Sequence, residues 1–192
     1  KGKAIIIANV DDIVAPEFIV FGYEGENIAL NHFHSASGYE GNNTPEKAVD
    51  GNDASTWVAH ANTGTSAEER TYDAWYIIDL KNAYNLDLIS IHFEGACSEL
   101  YHFDVSKDNQ NWDTVYNYVG NTNVWNHTDF WYDQPEKTKE VRYIRFFSTR
   151  ASTQYGMKVY EIQAFGSLVP DTEKPAIQSA ELVSTSFDKA QV

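Results

Sequence analysis

Residues 47–60, "KAVDGNDASTWVAH", crowd oxygen donors against a large apolar anchor: Asp50, Asn52, Asp53 and Ser55 surround Gly51, and Trp57 follows. Calcium takes about six to eight oxygens at roughly 2.3–2.6 Å, from carboxylates, carbonyls and hydroxyls in flexible geometry. A tight Gly/Asn turn can aim several carbonyls inward, while Asp50 and Ser55 supply side-chain oxygens. The spacing is not that of an EF-hand, since it lacks alternating acids and a distant bidentate Glu. From spacing alone the plainer reading is a turn capped by Asp50 and Asn52. Trp57 is expected in the core, because its ring must be buried beside a polar loop.

Other chemistry is poorly represented. There is no His-Glu-x-x-His, nucleophile elbow, phosphate loop or paired-Cys metal motif. The His residues at 32, 34, 60, 92, 102 and 127 show no catalytic spacing, and His92 and His102 read as outward strand positions. Acids are abundant enough for a glycosidase pair, but abundance is not geometry. The chain is therefore expected to be noncatalytic. A formal charge of −14, from 28 acids against 14 Lys plus Arg, disfavours nucleic acid and anionic lipid surfaces and suits neutral ligands or divalent cations. Cys97 is alone, so no internal disulfide forms and the thiol is read as structural. No apolar run approaches the roughly 18 residues a membrane helix needs, and no charged-then-apolar leader opens the chain, so any secretion signal is expected to be absent from it.

The elements that must position these residues are short strands. In "LISIHFE" Ile89, Ile91 and Phe93 share one face, and in "YHFDVS" Tyr101, Phe103 and Val105 do. Further strands are expected at "AIIIANV", "EFIVFGY", "WYIIDL", "WDTVYNYV", "DFWYD", "RYIRFF" and "VYEIQAFG", with turns at "KDNQN" and "YDQPEK". No helix of ten or more residues is expected. An aromatic fraction of 14% spread over such runs points to an all-β sandwich or jelly roll. Residues 1–26 read as an N-terminal extension with strands of its own and 27–167 as the main module. Residues 168–192, with Pro170 and Pro175, read as a linker and the possible start of another β domain, so the chain is expected either to come from a longer protein or to close with a terminal strand pairing elsewhere.

Taken in order, "NIALNHFHSASGYEGNNTPEKAVDGNDASTW", "WYIIDL", "LISIHFEG", "FDVSKDNQNW", "RYIRFFST" and "VYEIQAFG" resemble the discoidin, or coagulation factor 5/8 type C, family, which overlaps carbohydrate-binding module family 32. The resemblance covers residues 27–166 and implies an eight-stranded jelly-roll sandwich. It also implies a structural calcium ion. Its ligands would be the carbonyl of Lys47, a carboxylate oxygen of Asp50, the carbonyl of Asn52, the carbonyl and hydroxyl of Ser55 (where the family often has Thr), the carbonyl of Tyr160 and the carboxylate of Glu161.

Sugar-binding relatives present His, Arg or Asn and an aromatic platform from loops at one end, because sugar C–H faces stack on rings while hydroxyls need directional partners. The corresponding residues here are His60 and Arg70, Glu94 and Glu99, Arg150 and the ring of Tyr155. Galactose binders commonly have His directly after the Trp, where this chain has Val58, and Arg where it has Glu94. An amino or acetamido sugar is therefore as open as galactose. The reading is a carbohydrate-binding module that targets an exported bacterial protein, such as a glycoside hydrolase or a surface lipoprotein, to glycans outside the cell or in the periplasm. The alternatives are an adhesion domain of the animal type, which the single cysteine and acidic charge disfavour, and a structural spacer without a sugar ligand.

Overall fold

The computed structural model describes residues 25–60, 64–120, 128–132 and 134–171; the side chains of His60 and of 128–132 lie outside that description. The expected strands "AIIIANV" and "EFIVFGY" and the C-terminal linker beyond residue 171 also fall outside it.

Among the described residues eight strands run in chain order: β1 (Phe33–Ala36), β2 (Trp57–His60), β3 (Thr71–Phe93), β4 (Ser98–Ser106), β5 (Asp113–Val119), β6 (Thr128–Tyr132), β7 (Val141–Ala151) and β8 (Met157–Leu168). Among the described residues the helical element is a single 3-10 turn, Pro45–Ala48, with Pro at its start. All the pairings are antiparallel, and β3 organises them. Its first half pairs with β1 and β7, and β7 continues through β4 to β5. Its second half pairs with β6 and β8, and β8 continues to β2. One strand thus contributes to two sheets. "WYIIDL" and "LISIHFE", expected as separate strands, are its two halves.

The transfer between sheets occurs near Lys81, where the β3–β7 register shifts between Asp79 and Tyr84. Lys81 has φ 69°, a left-handed conformation costly for a side-chain-bearing residue. Asp79 holds the bend: its carboxylate accepts from the Lys81 amide at 2.8 Å and from Arg142 Nε and Nη2 at 2.9 and 3.1 Å. The Arg142 guanidinium keeps this carboxyl well below its ordinary pKa, despite burial.

Alternation determines what fills the space between the sheets. Ile89, Ile91 and Phe93 from one sheet meet Tyr101, Phe103, Ile144 and Phe146 from the other, all essentially inaccessible. Phe93 lies 5.4 Å from Tyr101 and 6.0 Å from Phe146, ring to ring. Trp57 is fully buried as expected, 4.9 Å from Tyr76, and its indole N–H donates to the Gly38 carbonyl at 2.9 Å. Cys97 is buried too, with Sγ 3.2 Å from Ser152 Oγ. Asn27 closes the module, its Oδ1 accepting from the amides of Ala29 and of Ala164 on β8, each at 3.1 Å.

Candidate functional site

The acidic loop begins where the 3-10 turn ends. Lys47 lies in that last turn, where carbonyls run out of helical partners. Gly51 follows Asp50 with φ 76°, a conformation that favours glycine, and a Cβ there would sit 3.1 Å from Leu30 Cδ1. That conformation turns the Gly51 and Asn52 amides onto Glu161 Oε1, at 2.7 and 3.0 Å, across more than a hundred residues of chain. Asp50 Oδ1 accepts from the Asn52 amide at 2.9 Å, and Oδ2 accepts from the Ser55 hydroxyl at 2.8 Å. The Asn52 carbonyl accepts from Ser55 N and Oγ at 3.0 and 3.1 Å.

Glu161 is 2% exposed, and its second oxygen, Oε2, is buried with no hydrogen-bond partner. Burial pushes this carboxyl up to about 7, the two loop amides oppose that rise, and the neighbouring Asp50 carboxyl adds to it. A buried carboxylate with an orphaned oxygen beside a second carboxylate is costly unless a cation joins them. Among the described residues no Lys, Arg or His pairs with either acid. No group of three or more His, Cys, Asp or Glu is gathered there either, so a cation would need carbonyl and hydroxyl oxygens as well, which suits calcium. The β3–β8 register skips Tyr160 between the pairs His92–Glu161 and Phe93–Val159. Tyr160 is the extra residue of a bulge, which takes its peptide out of the regular ladder. Asp50, Asn52, Ser55 and Glu161 are thus brought together, and the residues present fit the ion. Asp50 and Asn52 also cap turns, as the plainer reading of the loop expects.

Two neighbours escaped the sequence reading. His92 Nδ1 lies 3.2 Å from Asp53 Oδ1, and its ring is 5.0 Å from Tyr160, so an outward strand histidine buttresses the loop. Beneath, the Tyr76 hydroxyl donates to the Pro45 carbonyl at 2.8 Å. Its pKa is pushed up by burial and by the negative charges of Glu46, Glu161 and Asp50.

The loops expected to bind sugar are laced to one another. The Ala151 amide donates to the Arg70 carbonyl at 3.0 Å, Ser152 to Cys97 at 2.9 Å and Lys158 to Ala96 at 2.8 Å. From this end Tyr155 projects, 58% exposed, in a turn closed by the Thr153–Gly156 bridge. Gly156 has φ 82°, which glycine adopts without strain. Glu94 accepts from the Ala96 amide at 2.9 Å through Oε2, and its Oε1 is 3.6 Å from Lys158 Nζ. Lys158 was not foreseen, although its outward place two residues after the Gly156 turn was a usable signal.

Arg70, Glu99 and Arg150 form a second group. Arg150 Nη2 donates to Glu99 Oε1 at 2.7 Å, and Arg70 Nη1 is 3.5 Å from Oε2. Arg70 Nη1 also donates to the carbonyls of Ala151, at 2.9 Å, and Ser152. Val58, where galactose binders commonly have His, is buried and offers no polar atom. The backbone of His60 pairs with Met157 at this same end, while its side chain is outside the described residues.

This two-sheet jelly roll, with the laced loops around Tyr155 at one end, has a carbohydrate-binding module fold. The chain belongs to the F5/8 type C domain family, which matches residues 33–162. Among solved structures it is similar to chitosan-binding module 1 of a chitosanase/glucanase from Paenibacillus sp. IK-5, at 23% identity and TM-score 0.62, over 73% of this chain and 99% of that one. Chitosan-binding module 2 of the same enzyme, solved in complex with chitotriose, is 26% identical with TM-score 0.58, over 73% and 100%. CpGH89CBM32-4 from Clostridium perfringens, solved with GlcNAc-α-1,4-galactose, is 24% identical with TM-score 0.58, over 74% and 94%. No curated protein sequence matches. The first two are chitosan-binding modules, and this chain shares the fold of all three.

Proposed function

We propose that the module binds an amino-sugar-containing glycan at the Tyr155 end and carries a structural calcium ion in the acidic loop. The observation that carries the sugar reading is the exposed Tyr155 ring, presented by a closed glycine turn in the loop cluster that also holds Glu94. A ring offers a stacking face to sugar C–H groups, and a carboxylate in place of the Arg of galactose binders suits an ammonium rather than a neutral hydroxyl. The 26% identity to a module solved with chitotriose supports this choice. Tyr155 and Glu94 are the proposed contacts, with His60, Arg70 and Arg150 in the same set of loops.

Calcium would be held by Asp50 and Glu161 through carboxylate, Lys47, Asn52 and Tyr160 through carbonyl, and Ser55 through carbonyl and hydroxyl oxygens. Its chemistry is charge neutralisation: it joins two carboxylates and ties the loop to β8, leaving catalysis to other domains. On an exported bacterial parent the module would act by effective concentration, holding a neighbouring glycan-active domain near its substrate.

Calorimetric titration of the calcium-loaded module with chitotriose, glucosamine oligomers and galactose tests the reading. Binding to an amino sugar, lost in Tyr155→Ala, is expected. No heat with any of them, from folded protein, overturns the sugar reading. It would favour instead a structural spacer, which the engagement of both Arg70 and Arg150 by Glu99 supports.

A further inference from the structure

We infer that Glu99 is a positioning residue for the Tyr155 turn, acting through Arg70 rather than by touching ligand. The inference starts from register. In the β4–β7 ladder Ser98 pairs with Ala151 and Leu100 with Arg150, so Glu99 is an extra residue between them. Such a bulge re-aims a side chain, and here it delivers the Glu99 carboxylate to two guanidiniums: Arg150 on β7 and Arg70 just before β3. The bulge is itself secured. The Ser98 hydroxyl lies 2.6 Å from that of Ser148 and donates to the carbonyls of Leu100 and Arg150, while the Glu99 carbonyl accepts from the Gly120 amide.

The three charged side chains are mostly withdrawn from water, at 18% exposure for Arg70, 13% for Glu99 and 29% for Arg150. One carboxylate serves two cations, and the same Arg70 Nη1 that faces Glu99 donates to the carbonyls of Ala151 and Ser152. Those two residues open the turn that carries Tyr155. The turn is also anchored by the Ala151 amide to the Arg70 carbonyl, the Ser152 amide to the Cys97 carbonyl, the weak Cys97–Ser152 contact, the Thr153–Gly156 bridge, and the Tyr155 amide to Thr153 Oγ1 at 3.3 Å.

Removing the Glu99 charge leaves two guanidiniums facing each other in a partly desolvated site. They separate by repulsion, and Arg70 leaves the carbonyls it clamps. The Tyr155 turn then samples more conformations, and ligand binding must pay the ordering cost that the brace had already met. Arg70 and Arg150, expected from the sequence to meet sugar, become the arms of this brace.

The experiment compares Glu99→Gln, Arg70→Lys and Tyr155→Ala with wild type, by amide hydrogen exchange without ligand and by titration with chitotriose. The titration rests on the amino-sugar reading, whereas the exchange measurement does not, so the two can fail separately. Glu99→Gln is expected to speed exchange at Ala151, Ser152 and Tyr155 while the β3 and β8 core amides stay protected, and to weaken chitotriose binding roughly tenfold. Arg70→Lys, which keeps the charge but replaces the planar guanidinium that reaches the three acceptors, stands in should Glu99→Gln fail to fold, and is expected to shift both readouts part of the way. Tyr155→Ala is expected to abolish binding with no change at Ala151 or Ser152. Unchanged exchange at the turn in a folded brace variant overturns the inference, as does unchanged chitotriose affinity where the wild type binds.

Discussion

The most consequential side chain is Glu161, because the fold buries a carboxylate and leaves one of its oxygens without a partner. A cation removes that penalty, so calcium at a hundredfold its Kd should stabilise the module by about 3 kcal/mol. Thermal melts with calcium and with chelator should show that difference in wild type and lose it in Glu161→Ala. Asp104 makes the opposite case: 1% exposed, it is supplied by Arg145 Nε at 2.9 Å, Thr114 Oγ1 at 2.7 Å and His102 Nε2 at 3.3 Å. Burial opposes its ionisation, yet the bonds from His102, Thr114 and Arg145 outweigh that and lower its pKa to about 2. A depressed carboxylate stabilises the fold above its unfolded pKa, near 4, and the contribution is lost as pH falls from there through about 2. Urea melts of Asp104→Asn should therefore show a deficit of about 2 kcal/mol at pH 7 that narrows towards pH 2. The sequence revealed such groups only where donors were neighbours in the chain. Asp50, Asn52 and Ser55 could be read as one loop, whereas Glu161 entered through family resemblance alone. The pairing of Glu99 with Arg70 and Arg150 spans 29 and 51 positions, and no local pattern records it.

Among elements, β7 and β8 were legible because alternation on a half-buried sheet writes itself into every second residue. The strand β3 was not read as one element. "KNAYN" has the composition of a turn and does bend at Lys81, but pairing with β7 up to Asp79 and with both β7 and β8 from Tyr84 carries one strand across it. Strands β1 and β2 were missed since each has four residues, too few for a period to show. The bend in β3 depends on Arg142, which forks onto the buried Asp79. Arg142→Ala leaves that carboxylate with Lys81 as its remaining cation and should cost about 2 kcal/mol, read as a lower urea midpoint with an unchanged slope. The same substitution should leave sugar affinity unaltered, since Arg142 lies in β7 at the opposite end from Arg150.

For the whole molecule, the formal charge of −14 acts on any ligand before contact. It attracts an oligomer of protonated amino sugars and is indifferent to a neutral one, so glucosamine oligomers should bind a few-fold more weakly as salt rises from low to physiological strength. Galactose or acetylated oligomers should show no such dependence in the same titrations. The sharing of β3 between two sheets also bears on how the protein is made. Synthesis runs from the N-terminus, and of the described strands that pair with β3 just β1 precedes it, while β6, β7 and β8 are still to come. Until Leu168 has left the ribosome, a strand of 23 residues, apolar on its core face over both halves, has few of its final partners. Such a strand is a template for pairing with other chains. A product ending at Glu140 should accordingly collect in the insoluble fraction while the full chain stays in solution. The strand that unites the two sheets is completed only when the last described strand has been made, so shielding during translation is a demand written into its topology.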